Sequence, residues 1–240
     1  MIGFDFADPE SGISASLRPS GAAVVFDHDD VLGSSAEAFT GSETSEQETA
    51  VRLELDGATL EVELVEVGPQ IIVGGDGAGS EELSVCQVLG ELETGGATKP
   101  VNCLGTRITA ATEPGESSVT RSIAVAFGDG GLLALRAARP PGAETHAEET
   151  LSAALAEPDA EPSGFEEVLL STQYDGEGRQ VRATVELWPA QDGPGRRAAG
   201  TIVCGTSLTL GERRLDLAFF RWSMDGKPGL GRYEVVTSTA

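Results

Sequence analysis

Apolar and polar residues alternate along this chain in short paired runs, and an Asp-Gly or Gly-Asp-Gly step separates the two runs of each pair. Side chains on a strand point alternately to its two faces, so this pattern predicts β-hairpins with one buried and one solvated face. In "VRLELDGATLEVELVEV", Val51, Leu53 and Leu55 precede the turn and Leu60, Val62 and Leu64 follow it. Glu54, Glu61 and Glu63 fall on the opposite face. "SIAVAFGDGGLLALRAARP" repeats the design around Asp129, "VLLSTQYDGEGRQVRATVELW" around Asp175, and the stretch at 216–236 around Asp225. Short strands joined by glycine-rich turns predict an all-β, antiparallel protein, a sandwich or a barrel.

One segment reads differently. "THAEETLSAALAE" has Thr145 and Glu148 at capping-box spacing, and Ala147, Leu151, Ala154 and Leu155 recur at helical intervals. This predicts a short helix near 145–156, ended by the prolines of "PDAEPSG". With its flanks it forms the expected divider of the chain: an N-terminal β-barrel-like unit over 1–140, helix and linker over 141–164, and a C-terminal β-meander over 165–240 that completes a second barrel. Acidic loops are expected at 33–50 and 74–82, the first of them mobile or a lid.

The run "DLAFFRWSMDGKPGLGRYEVV" poses its own question. Asp216, Ala218, Phe220, Trp222 and Met224 share one face of the strand; Leu215, Leu217, Phe219 and Arg221 share the other. A strand apolar on both faces has to be covered on both. Burial of an isolated charge is costly, so Asp216 and Arg221 are expected to be paired, to lie near a strand end, or to be functional. Arg213 and Arg214 stand close enough in sequence to pair with Asp216.

Composition narrows the function classes. A hydrophobic fraction of 40% and a mean hydropathy of -0.08 fit a folded, soluble protein. A net charge of -23 argues against nucleic acid and anionic membrane surfaces as partners. No apolar run is long enough to span a bilayer, and the start carries no leader-like pattern, so a cytoplasmic protein without membrane insertion is expected. Cys86, Cys103 and Cys204 lack metal or disulfide spacing, and the two histidines are too few for a three-histidine zinc site. "DHDD" at 27–30 reads as solvated charge rather than a cation site, and "GGDGAG" at 74–79 opens no helix, as a dinucleotide fingerprint would. No metal and no cofactor are expected.

Three segments carry a family resemblance: "FADPESGISASLRPSG" at 6–21, "RPPGAETHAEE" at 139–149 and "FFRWSMDGKPGLGRYEV" at 219–235. They resemble the tandem lipocalin-like superfamily of AttH-like proteins, carotenoid 1,2-hydratases and natural-product Diels–Alderases. The resemblance implies two lipocalin-like barrels or half-barrels in tandem. It also implies a bulky hydrophobic small-molecule ligand, isoprenoid or polyketide-like, and cofactor-independent cyclisation, isomerisation or hydration in biosynthesis. The alternatives are a non-catalytic carrier or sensor of such ligands, and a scaffold β-domain without a cavity. From the residues themselves, Asp216 or Glu186 is the expected proton donor and Arg221 or Tyr174 the group polarising a carbonyl. His146, beside Glu144, Glu148 and Glu149, is a further acid–base candidate. Phe220, Trp222 and Trp188, with Met224 and Tyr233, are the expected ligand-binding wall.

Overall fold

The computed structural model describes the chain except residues 1, 38–39, 45–47, 76–78, 113–115, 144, 191–192 and 239–240. Among the described residues, two nine-stranded antiparallel sheets form. The first contains β1 (Gly3–Ala7), β2 (Ile13–Leu17), β3 (Ala23–Asp27), β4 (Asp30–Ser35), β5 (Thr40–Thr44), β6 (Glu48–Leu55), β7 (Ala58–Gly74), β8 (Ser80–Thr94) and β9 (Ala97–Thr112). The second contains β10 (Val119–Phe127), β11 (Leu132–Arg139), β12 (Thr150–Ala156), β13 (Ser163–Gly164), β14 (Glu167–Tyr174), β15 (Gln180–Trp188), β16 (Arg196–Leu210), β17 (Arg213–Met224) and β18 (Lys227–Ser238). Strand order is β4-β3-β2-β1-β9-β8-β7-β6-β5 in the first and β13-β12-β11-β10-β18-β17-β16-β15-β14 in the second, the same arrangement twice. Each sheet curls into a half-barrel. In the first, a Cβ on Gly33 of β4 would lie 2.7 Å from Leu55 of β6, so the two ends of the sheet nearly meet.

The four hairpins expected from the alternation are present as β6–β7, β10–β11, β14–β15 and β17–β18. Asp225 and Gly226 both have positive φ, 52° and 79°, as a type I′ hairpin turn requires. The expected acidic loops are shorter than the sequence suggests. Strands β4, β5 and β6 extend into 33–50 and β8 begins at Ser80, while residues 38–39, 45–47 and 76–78 lie outside the described part.

The helix expected near 145–156 is corrected by the structure. A single 3-10 turn covers His146–Glu148, and Thr150–Ala156 is strand β12, laddered to β11. The capping signal survives at the turn: Thr145 N and Oγ1 each donate to Glu148 Oε2 at 3.1 Å. Beyond it, the same letters satisfy a period of two. Leu151, Ala153 and Leu155 enter the second core, while Ala154 and Ala156 face the first sheet. Two buried faces override the local helix preference of an alanine-rich run. The sheets divide between β9 and β10, near 112–119, rather than near 140. Segment 141–164 supplies strands β12 and β13 to the second sheet.

Four apolar clusters account for the packing. Phe4, Phe6, Leu53, Leu60 and Leu64 fill the first half-barrel; Phe220, Trp222, Tyr233, Val185 and Leu187 fill the second. The other two clusters lie between the sheets. In one, Ile71, Leu83, Val85 and Ile108 press onto Ala124, Ala126, Ala134 and Ala154, large side chains of one sheet against small ones of the other. In the other, Val24 and Phe26 meet Leu215, Leu217 and Phe219, with the rings of Phe26 and Phe219 edge-on at 6.1 Å. Strand β17 is apolar on both faces because one lines its own half-barrel and the other covers the first sheet.

Glycine is required where β18 crosses β10. A Cβ on Gly231 would stand 2.0 Å from the Ala124 carbonyl oxygen, and one on Gly229 would stand 2.7 Å from the Phe127 ring. Gly231→Ala is therefore expected to lower stability by about 1–3 kcal/mol through overpacking. Gly164→Ala, where a Cβ meets nothing within 4 Å, should leave it unchanged. Urea midpoints of the two variants check this.

Candidate functional site

Between the two inter-sheet apolar clusters, six charged side chains are buried against one another. Asp5 (β1), Arg18 (just after β2) and Glu81 (β8) come from the first sheet; Arg136 (β11), Arg232 and Glu234 (β18) come from the second. Arg232, fully enclosed, reaches Asp5 Oδ2 through Nε at 2.9 Å, Glu81 Oε2 through Nη2 at 3.0 Å and Glu234 Oε2 through Nη1 at 2.7 Å. Arg18 joins Glu81 at 2.5 Å and Glu234 at 3.1 Å, and Arg136 joins Glu81 at 2.8 Å. Ser16 Oγ donates to Asp5 at 2.6 Å and Ser122 Oγ to Glu81 at 3.2 Å. Three cations meet three anions, the condition under which charges can stay buried.

The members titrate differently. Burial alone would push the Glu81 carboxyl up, but Arg232, Arg18 and Arg136 together hold it well below the usual carboxylate range. At Asp5, burial outweighs the pull of Arg232 and Arg18, and its carboxyl is raised.

A cleft opens on each side of this cluster along the seam between the sheets. On one side, Arg18, Glu81, Arg136, Arg213 and Glu234 border a polar cleft of about 390 Å³. On the other side lies an apolar cleft of about 400 Å³, within the size range of small-molecule sites. Leu104, Ala126, Phe127, Pro228 and Leu230 form its walls, with Asp8, Glu10 and Arg221 among its polar groups. The Asp8 carboxylate accepts on both oxygens: Oδ1 from the backbone N–H of Glu10 at 2.9 Å and of Ser11 at 3.5 Å, and Oδ2 from that of Asn102 at 3.2 Å. It shapes the β1–β2 turn, whose Gly12 adopts a φ of 77°.

The residues singled out from the sequence are dispersed. Asp216, buried, is paired with Arg214 at 2.8 Å, accepts from Ser207, and lines a different, smaller cleft. Arg221 is exposed on the outer face of β17, at the apolar cleft. Glu186 is partly exposed, with Arg197 at 3.9 Å; Tyr174 and Trp188 are exposed. His146 contributes its backbone to the 3-10 turn, and its side chain lies outside the described residues. Phe220, Trp222, Tyr233 and Met224 do come together, as packed core of the second half-barrel. Phe220 stacks on Trp222 at 5.6 Å and meets Tyr233 edge-on at 5.5 Å. The Tyr233 hydroxyl bonds Thr172 at 2.6 Å, and burial pushes its phenol up to about 12. Burial likewise pushes the thiols of Cys86 and Cys204 up, to about 12 and about 11, so both stay protonated and weakly nucleophilic. Asp27 of the "DHDD" stretch is held by Lys99 Nζ at 2.6 Å.

Sequence reasoning missed the charge cluster. Arg232 carried a usable signal, a charge inside the apolar run "GLGRYEVV", the same logic that singled out Asp216 and Arg221. Glu81 carried none, because it sits among the surface acids of "GSEE".

The fold is found in solved structures. An AttH-like protein from Nitrosomonas europaea matches with a TM-score of 0.67 at 15% identity, over 98% of this chain and 90% of that one. Kievitone hydratase from Nectria haematococca matches at 0.65 and 11%, over 99% and 88%. CghA in complex with Sch210972 matches at 0.61 and 12%, over 100% and 88%. The chain shares their tandem half-barrel fold. An AttH-like protein and a hydratase are among the kinds of protein the sequence resemblance named. No protein-family model and no curated protein matches the sequence.

The Glu81 carboxyl, depressed in the folded state, contributes stability that is present above its ordinary 4.5 and is lost as pH falls through and below that value. Glu81→Gln is expected to destabilise the protein at neutral pH by about 3–5 kcal/mol, since it leaves Arg18, Arg136 and Arg232 in excess. The variant should also lose about one proton, about 1.4 kcal/mol per pH unit, from the slope of stability against pH below that point. Urea unfolding of both proteins at a series of acid pH values measures the two slopes.

Proposed function

We propose that the apolar cleft holds a bulky hydrophobic small molecule, isoprenoid or polyketide-like. We further propose that the protein catalyses its cofactor-independent cyclisation, isomerisation or hydration in cytoplasmic natural-product biosynthesis. The observation that carries this reading is the convergence of "FADPE" and "FFRWSMDGKPGLG", at opposite ends of the chain, on one cleft. Both belong to the segments that resemble the superfamily. The apolar walls suit a hydrocarbon body, and Arg221 suits a carbonyl or enolate oxygen on which negative charge develops. Glu10, exposed at the same cleft, is the group we place in proton transfer. Of the catalytic candidates read from the sequence, Arg221 alone is assigned here. No helix among the described residues is long and apolar enough to cross a membrane.

A carrier without chemistry is the second reading, and the engagement of Asp8 favours it. The one buried carboxylate among the residues lining this cleft accepts backbone N–H bonds on both oxygens, which gives it a structural role in the β1–β2 turn.

Gly128 gives a clean way to fill the cleft. It lines the cleft, its φ is not positive, and a Cβ there would meet only the Pro228 carbonyl oxygen, at 3.7 Å. Native mass spectrometry of gently purified wild type should show one apolar small molecule bound, and Gly128→Trp should emerge empty with its ligand-free melting temperature unchanged. Equal loading of both proteins removes this cleft as the site. With that molecule as substrate, Arg221→Leu should lower kcat/KM by about 10²–10³ while the ligand still binds. Absence of any turnover by the wild type leaves the carrier.

A further inference from the structure

Of the 16 lysines and arginines in a chain with 39 acids, Arg182 and Arg221 are the two that make no hydrogen bond or ion pair among the described residues. Both stand in one row of the second sheet. Arg182 of β15 lies opposite Thr201 of β16, and Thr201 lies opposite Arg221 of β17, all three exposed on the outer face. Gln173 and Leu230 complete this row, and the next row runs Ser171, Thr184, Ala199, Ser223, Pro228. Neither row holds an acid. Glu186, one row further on, stands opposite Arg197 and pairs with it.

A bulge shapes the surface beside this row. The β16–β17 register shifts between Ile202 and Cys204, and Val203 stands out, 38% exposed. Val203, Arg221 and Pro228 border an open depression of about 680 Å³, with the small residues Ala199, Thr201 and Ser223 between them. Arg221 and Pro228 also line the apolar inter-sheet cleft, so the two concavities meet at that pair.

Guanidinium groups only donate hydrogen bonds, and the Thr201 and Ser223 hydroxyls can donate. Adjacent strands are about 4.8 Å apart, so the Arg182 and Arg221 backbones stand about 10 Å apart with Thr201 midway, within reach of both side chains. Two guanidiniums without counter-charge beside a hydroxyl suit an oxyanion, held by charge-assisted hydrogen bonds. The net charge of -23 repels anions at long range, so a preference for one has to come from a local arrangement of this kind.

We propose that the ligand of the inter-sheet cleft is an amphiphile, a bulky apolar body ending in a carboxylate or phosphate. Arg182, Thr201 and Ser223 hold the anionic end on the outer face of the second sheet, and the body passes Arg221 and Pro228 into the cleft. This assignment rests on the cleft being a ligand site.

Decanoate, decyl phosphate and decanol are the probes, titrated into the whole protein by calorimetry. At least one of the two anions should bind about tenfold or more tighter than decanol, and the tighter one identifies the group. Arg182→Gln should lose about tenfold for that anion while keeping the decanol affinity of wild type. Its ligand-free melting temperature should be unchanged, since Arg182 makes no contact to lose. Gly128→Trp, with the cleft filled, should bind none of the three. Equal affinity of decanol and both anions, or full anion affinity in Arg182→Gln, overturns the anionic end; loss of binding in Gly128→Trp then still supports the cleft. Absence of binding by all three probes, or unchanged binding in Gly128→Trp, overturns the cleft and this proposal together.

Discussion

The association of the two half-barrels rests on a neutral knot of six buried charges. Arg232 enters from the second sheet without solvent contact and is met by Asp5 and Glu81 of the first. Charges taken out of water are tolerated when each has its partners, and these partners come from both sheets. The knot therefore specifies geometry more than it adds stability: Asp5, Glu81 and Arg232 find their counter-charges only when β1, β8 and β18 are in register across the seam. Apolar packing on either side supplies the cohesion, alanines of β10–β12 accepting the larger side chains of β7–β9, and Phe26 meeting Phe219.

The same seam carries two concave surfaces. An apolar cleft and a polar cleft lie on opposite sides of the knot, and β1 and β18 run past both. The half-barrel interiors are instead filled with side chains, the aromatic trio of Phe220, Trp222 and Tyr233 in the second and Phe4 and Phe6 in the first. Aromatic residues that read as a ligand wall from the sequence are core, and the walls of the apolar cleft come instead from Leu104, Ala126, Phe127, Pro228 and Leu230. The glycines of "KPGLG" fit this role. Gly229 and Gly231 let β18 lie close on β10, which brings Leu230 and Pro228 to the cleft and Arg232 to the knot.

Much of the fold was legible in the sequence. A period of two and an Asp-Gly turn are local signals, and all four hairpins they marked are present. The two apolar faces of 215–224 announced that this strand would be covered twice. At 150–156 local reading failed, because Leu-Ser-Ala-Ala-Leu-Ala fits a helical stripe and an alternating strand equally well. Only the empty edge of β11, with a core on one side and the first sheet on the other, selects the strand. The site was harder still. Asp216 and Arg221 stood out as charges in an apolar run, yet one is paired with Arg214 and the other lies at a cleft completed by residues 7–10, 102–104 and 126–128, far away in sequence.

By itself the sequence determined the all-β class, the hairpins, the acidic surface and the segments that resemble a tandem half-barrel family. These follow from residue order, since alternation and turn chemistry act over a few residues. The tertiary structure alone decided which few of the 39 acids are buried, which arginines neutralise them, and where two half-barrels leave a cleft. Those outcomes depend on contacts between residues up to 227 positions apart, as Asp5 and Arg232 are, and no local pattern encodes such pairings.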